Sequence, residues 1–104
     1  MDAQLKKGIL DMCILHIIKT NKVVYGYTLI KEISSIFPEI NESTVYTILR
    51  RLHKNGNLNI EIKASSEGPQ RKYYSLTEKG GQLLQLQYEE WRNLKEQLLK
   101  LNII

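Results

Sequence analysis

The chain has 104 residues, 42% of them apolar and 25% charged, which is the composition of one small globular domain. The longest apolar run, Ile14 to Ile18, is broken by His16 and is far too short to span a bilayer, and Met1 to Lys7 leads into a helix-patterned segment with no small-residue cleavage site, so neither a membrane anchor nor a secretory signal is expected. The formal net charge is +4, modest in size, so its meaning depends on where the excess cations lie.

Residues 4 to 20 read QLKKGILDMCILHIIKT. Leu5, Ile9, Met12, Cys13, Leu15, Ile17 and Ile18 cover most of a helix circumference, so this first helix belongs at the centre of the fold or at a subunit contact. Cys13 is the only cysteine; it makes no internal disulfide and reads as a buried thiol in a reducing cytoplasm. His16 reads as a satisfied core residue. The stretch NKVVYGY then reads as a short loop with Gly26 at its turn. A second helix follows from about Tyr27, with Leu29, Ile30, Ile33 and Phe37 at helical spacing, and Pro38 ends it.

A third helix lies in INESTVYTILRRLHKNG, with Asn41 at its N-cap, Glu42 on the positive end of its dipole and Gly56 as its stop. Val45, Ile48, Leu49 and Leu52 form its apolar stripe. At about 100° per residue, the opposite face is centred on Ser43, Thr47, Arg50 and Lys54, flanked by Tyr46 and Arg51. Leu58, Ile60 and Ile62 then alternate with Asn59, Glu61 and Lys63, the pattern of a strand with one buried face. The polar stretch ASSEGPQ turns, and Arg71 to Leu76 returns as a second strand of a β-hairpin. Thr77 caps a last helix in which Leu84, Trp91 and Leu98 recur every seven residues, as do Gln87, Leu94 and Leu101.

The predicted fold is therefore mainly α with a small β-hairpin: a winged helix-turn-helix over residues 1–77 and a C-terminal dimerisation helix over 78–104. Between Arg50 and Lys79 seven cations face three carboxylates, which accounts for the whole net charge, because the rest of the chain is balanced. A localised excess of this kind suits a polyanion. In a winged helix-turn-helix the third helix enters the major groove of double-stranded DNA, where arginine can bond guanine in two places and hydroxyls suit several bases. Arg50 is the candidate base reader, with Ser43, Thr44, Tyr46 and Thr47 near the helix N-terminus. Lys54 and Arg51 are candidate phosphate contacts, and Lys63, Arg71 and Lys72 are candidate contacts from the wing.

YGYTLIKEI at 25–33, NESTVYTILRRLHKNG at 41–56 and GPQRKYYSLTEKG at 68–80 together resemble PadR-type transcriptional regulators, in the family's order and over nearly the whole chain. The resemblance implies the short branch without a separate C-terminal domain, a homodimer built on the last helix together with the first, and repression of transporter, detoxification or stress genes that ends when a small aromatic or cationic effector binds. It marks Ser43, Thr44, Tyr46, Arg50 and Lys54 on the third helix and Arg71 and Lys72 in the wing. It also marks Trp91, in YEEWRNL, as a residue on which flat ligands stack. The heptad seam itself suits packing on its own domain or on a partner; with a dimer it makes Leu84, Leu94, Leu98 and Leu101 candidate interface residues, with Tyr88 beside Trp91. Two positions depart from the family's pattern: Thr47 stands where a proline is frequent, and Asn57 where an apolar residue is frequent.

No paired carboxylates, nucleophile-base grouping or Gly-rich phosphate loop points to an enzyme, and no histidine or cysteine has metal-ligand spacing. No cofactor is expected. The other reading left open is a winged-helix protein-interaction module, or an anti-repressor adaptor, that does not bind DNA.

Overall fold

The apolar start of the chain forms helix α1 (Ala3–Asn21) in a computed structural model that describes residues 3–65 and 68–104, with side chains from Gly8 onward. Leu10, Ile14, Leu15, Ile17 and Ile18 are buried and Met12 and Cys13 half-buried, so α1 runs through the core as its apolar circumference requires. His16 is exposed, on the one polar strip of α1, and its Nδ1 shares a hydrogen bond with the Tyr88 hydroxyl. The expectation of a core histidine is corrected accordingly. Lys22, with φ of 64°, ends the helix in the left-handed region.

The expected loop at NKVVYGY contains a short strand, β1 (Val24–Tyr25), and Gly26 opens helix α2 (Gly26–Ile36) directly. Gly26 is therefore not a turn residue. Its role is to admit a neighbour, since a Cβ there would stand 3.0 Å from Cε2 of Tyr74. Leu29, Ile30 and Ile33 bury one face of α2, and the chain leaves the helix at Phe37, before Pro38.

Helix α3 (Glu42–Lys54) buries Val45, Ile48, Leu49 and Leu52. Asn41 takes the N-cap position, but its side chain makes no capping bond; its carbonyl accepts from the Thr44 and Val45 amides instead. The helix ends in a Schellman motif. Gly56 has φ of 80°, its N–H donates to the His53 carbonyl, and the Asn57 N–H donates to that of Leu52.

Strands β2 (Leu58–Ser65) and β3 (Gly68–Leu76) form the hairpin. The sheet has three antiparallel strands rather than two, in the order β1-β3-β2, with Val24 opposite Tyr74 and Ile60 on the other side of Tyr74. Residues 66–67, at the turn, lie outside the described part. Tyr74, Leu58 and Val24 carry the core onto one face of the sheet.

Helix α4 (Glu78–Lys100) starts at Thr77, whose hydroxyl accepts from the Gly80 amide at 3.0 Å. Leu84 is fully buried in the core of its own chain, so it is not an interface residue as the heptad spacing had suggested. At the first turn α4 crosses the end of α3 so closely that a Cβ on Gly80 would lie 2.0 Å from the Asn57 carbonyl oxygen. Gly81, one residue on, has open space around its α-carbon.

These adjacent glycines predict opposite outcomes. Gly80→Ala should destabilise the fold by about 3 kcal/mol or more, because backbone must move. Gly81→Ala should stabilise it by about 0.4–1 kcal/mol, through lost freedom of the unfolded chain. Urea denaturation of the two variants beside the parent protein measures both.

Candidate nucleic-acid interface

Because α3 buries one stripe, its opposite face is turned outward. Ser43, Thr44, Tyr46, Thr47, Arg50 and Lys54 are all exposed. Thr47 turns its hydroxyl back onto the Ser43 carbonyl at 2.9 Å, and Arg50 Nη2 lies 3.4 Å from the Thr47 oxygen. The Arg50 guanidinium is thereby held along the helix rather than across it. No carboxylate interrupts the helix between Ser43 and Lys54.

Arg51 is separated from this group. Its guanidinium reaches α1 and donates to Asp11 Oδ1 at 2.7 Å, with Asp11 mostly covered. The hydrogen bond to this carboxylate outweighs burial and raises the Arg51 pKa above its ordinary value. The pair fastens α3 to α1, a role that the spacing of charges along the chain does not reveal.

Strand alternation divides the wing cations between two faces. Lys72 shares the face of Tyr74 and turns towards α2 and α3, where it lines a pocket with Tyr27 and Tyr46. Arg71 and Lys63 pair across the strands on the other face. Like charges directly opposite each other repel, and here each lies over a ring. Arg71 is 5.0 Å from the centroid of Tyr25 and Lys63 4.8 Å from that of Tyr73, while the two rings are 5.5 Å apart. Tyr27 continues the row at 6.0 Å from Tyr25, with Lys31 over it at 5.1 Å. Sequence reasoning missed Tyr25, Tyr27 and Lys31. The available signal was β1, too short to recognise, which places Tyr25 beside Tyr73.

The far half of α4 carries the other predicted group. Trp91, Leu94 and Leu101 are 42%, 45% and 69% exposed, and Leu98 is half-buried. Tyr88 is half-buried, held by His16 and covered by the cations of Lys19 and Arg92. Trp91 borders two grooves: one of about 270 Å³ with Met12, Gln87, Glu90 and Leu94, and one of about 470 Å³ with Cys13, Phe37 and Tyr88. Burial pushes the Cys13 thiol pKa up, which favours an unreactive thiol. Among the described residues there is no cluster of metal-ligating side chains, and no helix is long and apolar enough to cross a membrane.

A helix-turn-helix with an outward cationic face on its second helix, followed by a basic wing, defines a winged-helix transcriptional regulator. The chain belongs to the transcriptional regulator PadR-like family, which it matches over residues 14–86. Its structure is similar to that of a Streptococcus transcriptional regulator, with a TM-score of 0.84 and 30% identity, covering 97% of this chain and 99% of that one. It is similar also to a PadR-like transcriptional regulator from Bacillus cereus, with a TM-score of 0.82 and 36% identity over 95% and 96% of the two chains. An uncharacterized protein of Lysinibacillus sphaericus is 36% identical over 93 residues, which is 86% of this chain and 84% of that protein.

Burial raises the pKa of Tyr74 and of Tyr88; nearby Tyr46 adds to the effect at Tyr74, and Arg92 opposes it at Tyr88. A folded protein that holds these protons more tightly than the unfolded chain keeps the resulting stability below about pH 10 and loses it as pH rises through the folded pKa values. Spectrophotometric titration should show a late-ionising fraction among the six tyrosines, reduced in Tyr74→Phe and again in Tyr88→Phe.

Proposed function

We propose that the protein is a repressor that binds a palindromic DNA operator as a homodimer and is released by a small aromatic or cationic effector. The observation that carries this reading is the α3 face: hydroxyls, an aromatic and two cations, exposed together and uninterrupted by acid. Arg50 is the base reader, since its planar fork matches two acceptors on guanine. Ser43, Thr44, Tyr46 and Thr47 form the rest of the base-facing set, and Lys54 contacts phosphate. Lys72 extends the surface from the wing, with Lys63 and Arg71 supplying positive potential from its outer face. Arg51 leaves the DNA-contact set because Asp11 already holds it.

The exposed stripe of Trp91, Leu94 and Leu101, continued by Leu98, supports self-association. Such a contiguous apolar surface on a projecting helix gains about 25 cal/mol for each Å² removed from water. Two-fold symmetry then sets two α3 helices about 34–36 Å apart, one turn of DNA. Trp91 and the grooves beside it suit a flat ligand, and Glu90 on the rim suits one that is cationic.

The test of the reading is fluorescence anisotropy on DNA from upstream of the protein's own gene, at several salt concentrations. Affinity should fall steeply with salt because counterions are released on binding; a salt-insensitive protein, or one that binds no duplex, would instead be an interaction module. Arg50→Ala should cost about 1–3 kcal/mol on the operator and relax preference at one base position. An equal loss on random DNA would reassign Arg50 to a phosphate. In sedimentation at micromolar concentration, Leu94→Glu should shift a dimer to monomer with no loss of helix content, whereas an already monomeric parent protein would remove the dimer.

A further inference from the structure

The pocket between α2, α3 and the wing brings Lys72 together with residues that chain spacing does not place beside it. It holds about 290 Å³ and lies where the N-terminal part of α3 faces β3. Lys72 and Gln70 border it from the wing, Tyr27 from α2 and Tyr46 from α3, and no carboxylate lines it. Tyr27 and Tyr46 are 54% and 46% exposed, so their hydroxyls are not committed to the core.

Tyr74 supplies the second observation. Its side chain is only 4% exposed, yet it lines this pocket. The ring edge rests on Gly26, the residue whose missing side chain makes room for it. Tyr74 thus joins the core to the pocket wall. A phenol at a pocket wall can donate a hydrogen bond to a ligand seated there. Burial and the neighbouring Tyr46 hold it protonated, and so able to donate.

We propose that this pocket seats a single phosphate of the DNA backbone, with Lys72 providing the charge and the Tyr27 and Tyr74 hydroxyls and the Gln70 amide providing hydrogen-bond donors. The proposal rests on the DNA-binding reading and deepens it. The converging groups can all donate around one cation and no carboxylate opposes them, which is what a compact anion requires. The position is also apt, because a backbone running past the N-terminal half of α3 meets the wing on this side. The seat fixes the register of α3 in the groove without reading sequence.

The experiment uses the full chain and operator duplexes in which one phosphate at a time is replaced by an uncharged methylphosphonate. In the parent protein, one position per half-site should weaken binding roughly tenfold through loss of a charge-assisted contact. In Lys72→Gln the same substitution should have little further effect, and the slope of log affinity against log salt should fall by about one. Tyr27→Phe and Tyr74→Phe should each reproduce part of the loss, equally on operator and random DNA, with unchanged helix content. Additive effects of Lys72→Gln and every methylphosphonate would overturn the seat, as would a change in base preference in any of the three variants. Parent protein that binds no duplex would remove the DNA reading and the seat together, whereas parent protein that binds with no sensitive phosphate position would remove the seat alone.

Discussion

The arrangement depends on one close approach, that of Gly80 to the carbonyl of Asn57. Three pieces of the protein meet there: the end of α3, the base of the wing and the start of α4. Their join is made of directional bonds. The Thr77 amide donates to the Asn57 carbonyl, the Thr77 hydroxyl to that of Gly56, and Lys79 Nζ to that of Asn55. The Schellman amides take the Leu52 and His53 carbonyls, and the carbonyls of the three residues that follow α3 are taken up by the start of the next helix. A side chain at residue 80 would wedge the two apart, so helix-breaking glycine is worth its cost in the first turn of α4. Asn57 sits 95% buried in this join (5% exposed), with Oδ1 unpaired. That acceptor lies where the resemblance led one to expect an apolar residue.

Such a joint has consequences for α4. Its near half is part of the domain, since Leu84 is sealed and Leu83 and Tyr88 pack against the core. Its far half presents Trp91, Leu94 and Leu101 to solvent and ends in its own Schellman motif, with Asn102 at φ of 60° and the Ile103 amide bonded to the Leu98 carbonyl. The heptad spacing ran through both halves without a break, because a seam that packs on its own core and one that packs on a partner obey the same periodicity. Only burial divides them. Gln87 falls at the division, its Oε1 buried and unpaired, where the sequence had placed the one polar member of the seam.

Much of the fold was legible because long periodic segments leave little choice. The stripes of α2 and α3, the stop at Gly56 and the cap at Thr77 follow from local rules and appear where those rules place them, and β2 forms as expected, but its burial fades from Leu58 through Ile60 to an exposed Ile62 as the hairpin leaves the core. What stayed hidden depends on residues far apart in the chain. Two residues cannot announce a strand, so β1 was taken for loop, and with it went the position of Tyr25 against Tyr73. The Arg51–Asp11 pair joins residues forty positions apart. The division of the wing cations, by contrast, was available from parity alone: 63 and 71 fall on one face and 72 on the other, as the register makes plain.

That division explains how a small hairpin can hold like charges without unfolding at its outer end. Arg71 and Lys63 are cross-strand neighbours, an unfavourable pairing in isolation. Tyrosine faces carry negative electrostatic potential, and each cation rests on one. The rings in turn are tied through Tyr25 to β1 and through Tyr27 to α2, so the outer face of the wing is fastened to the helix-turn-helix by stacking rather than by ion pairs. The inner face is then free to keep Lys72 and its neighbouring hydroxyls uncommitted beside α3. The two tyrosines that offset this repulsion, with Tyr27 stacked beside them, thereby fix the orientation of the side that faces the recognition helix. A wing held in this way loses less conformational freedom on binding than a hairpin attached at its base alone.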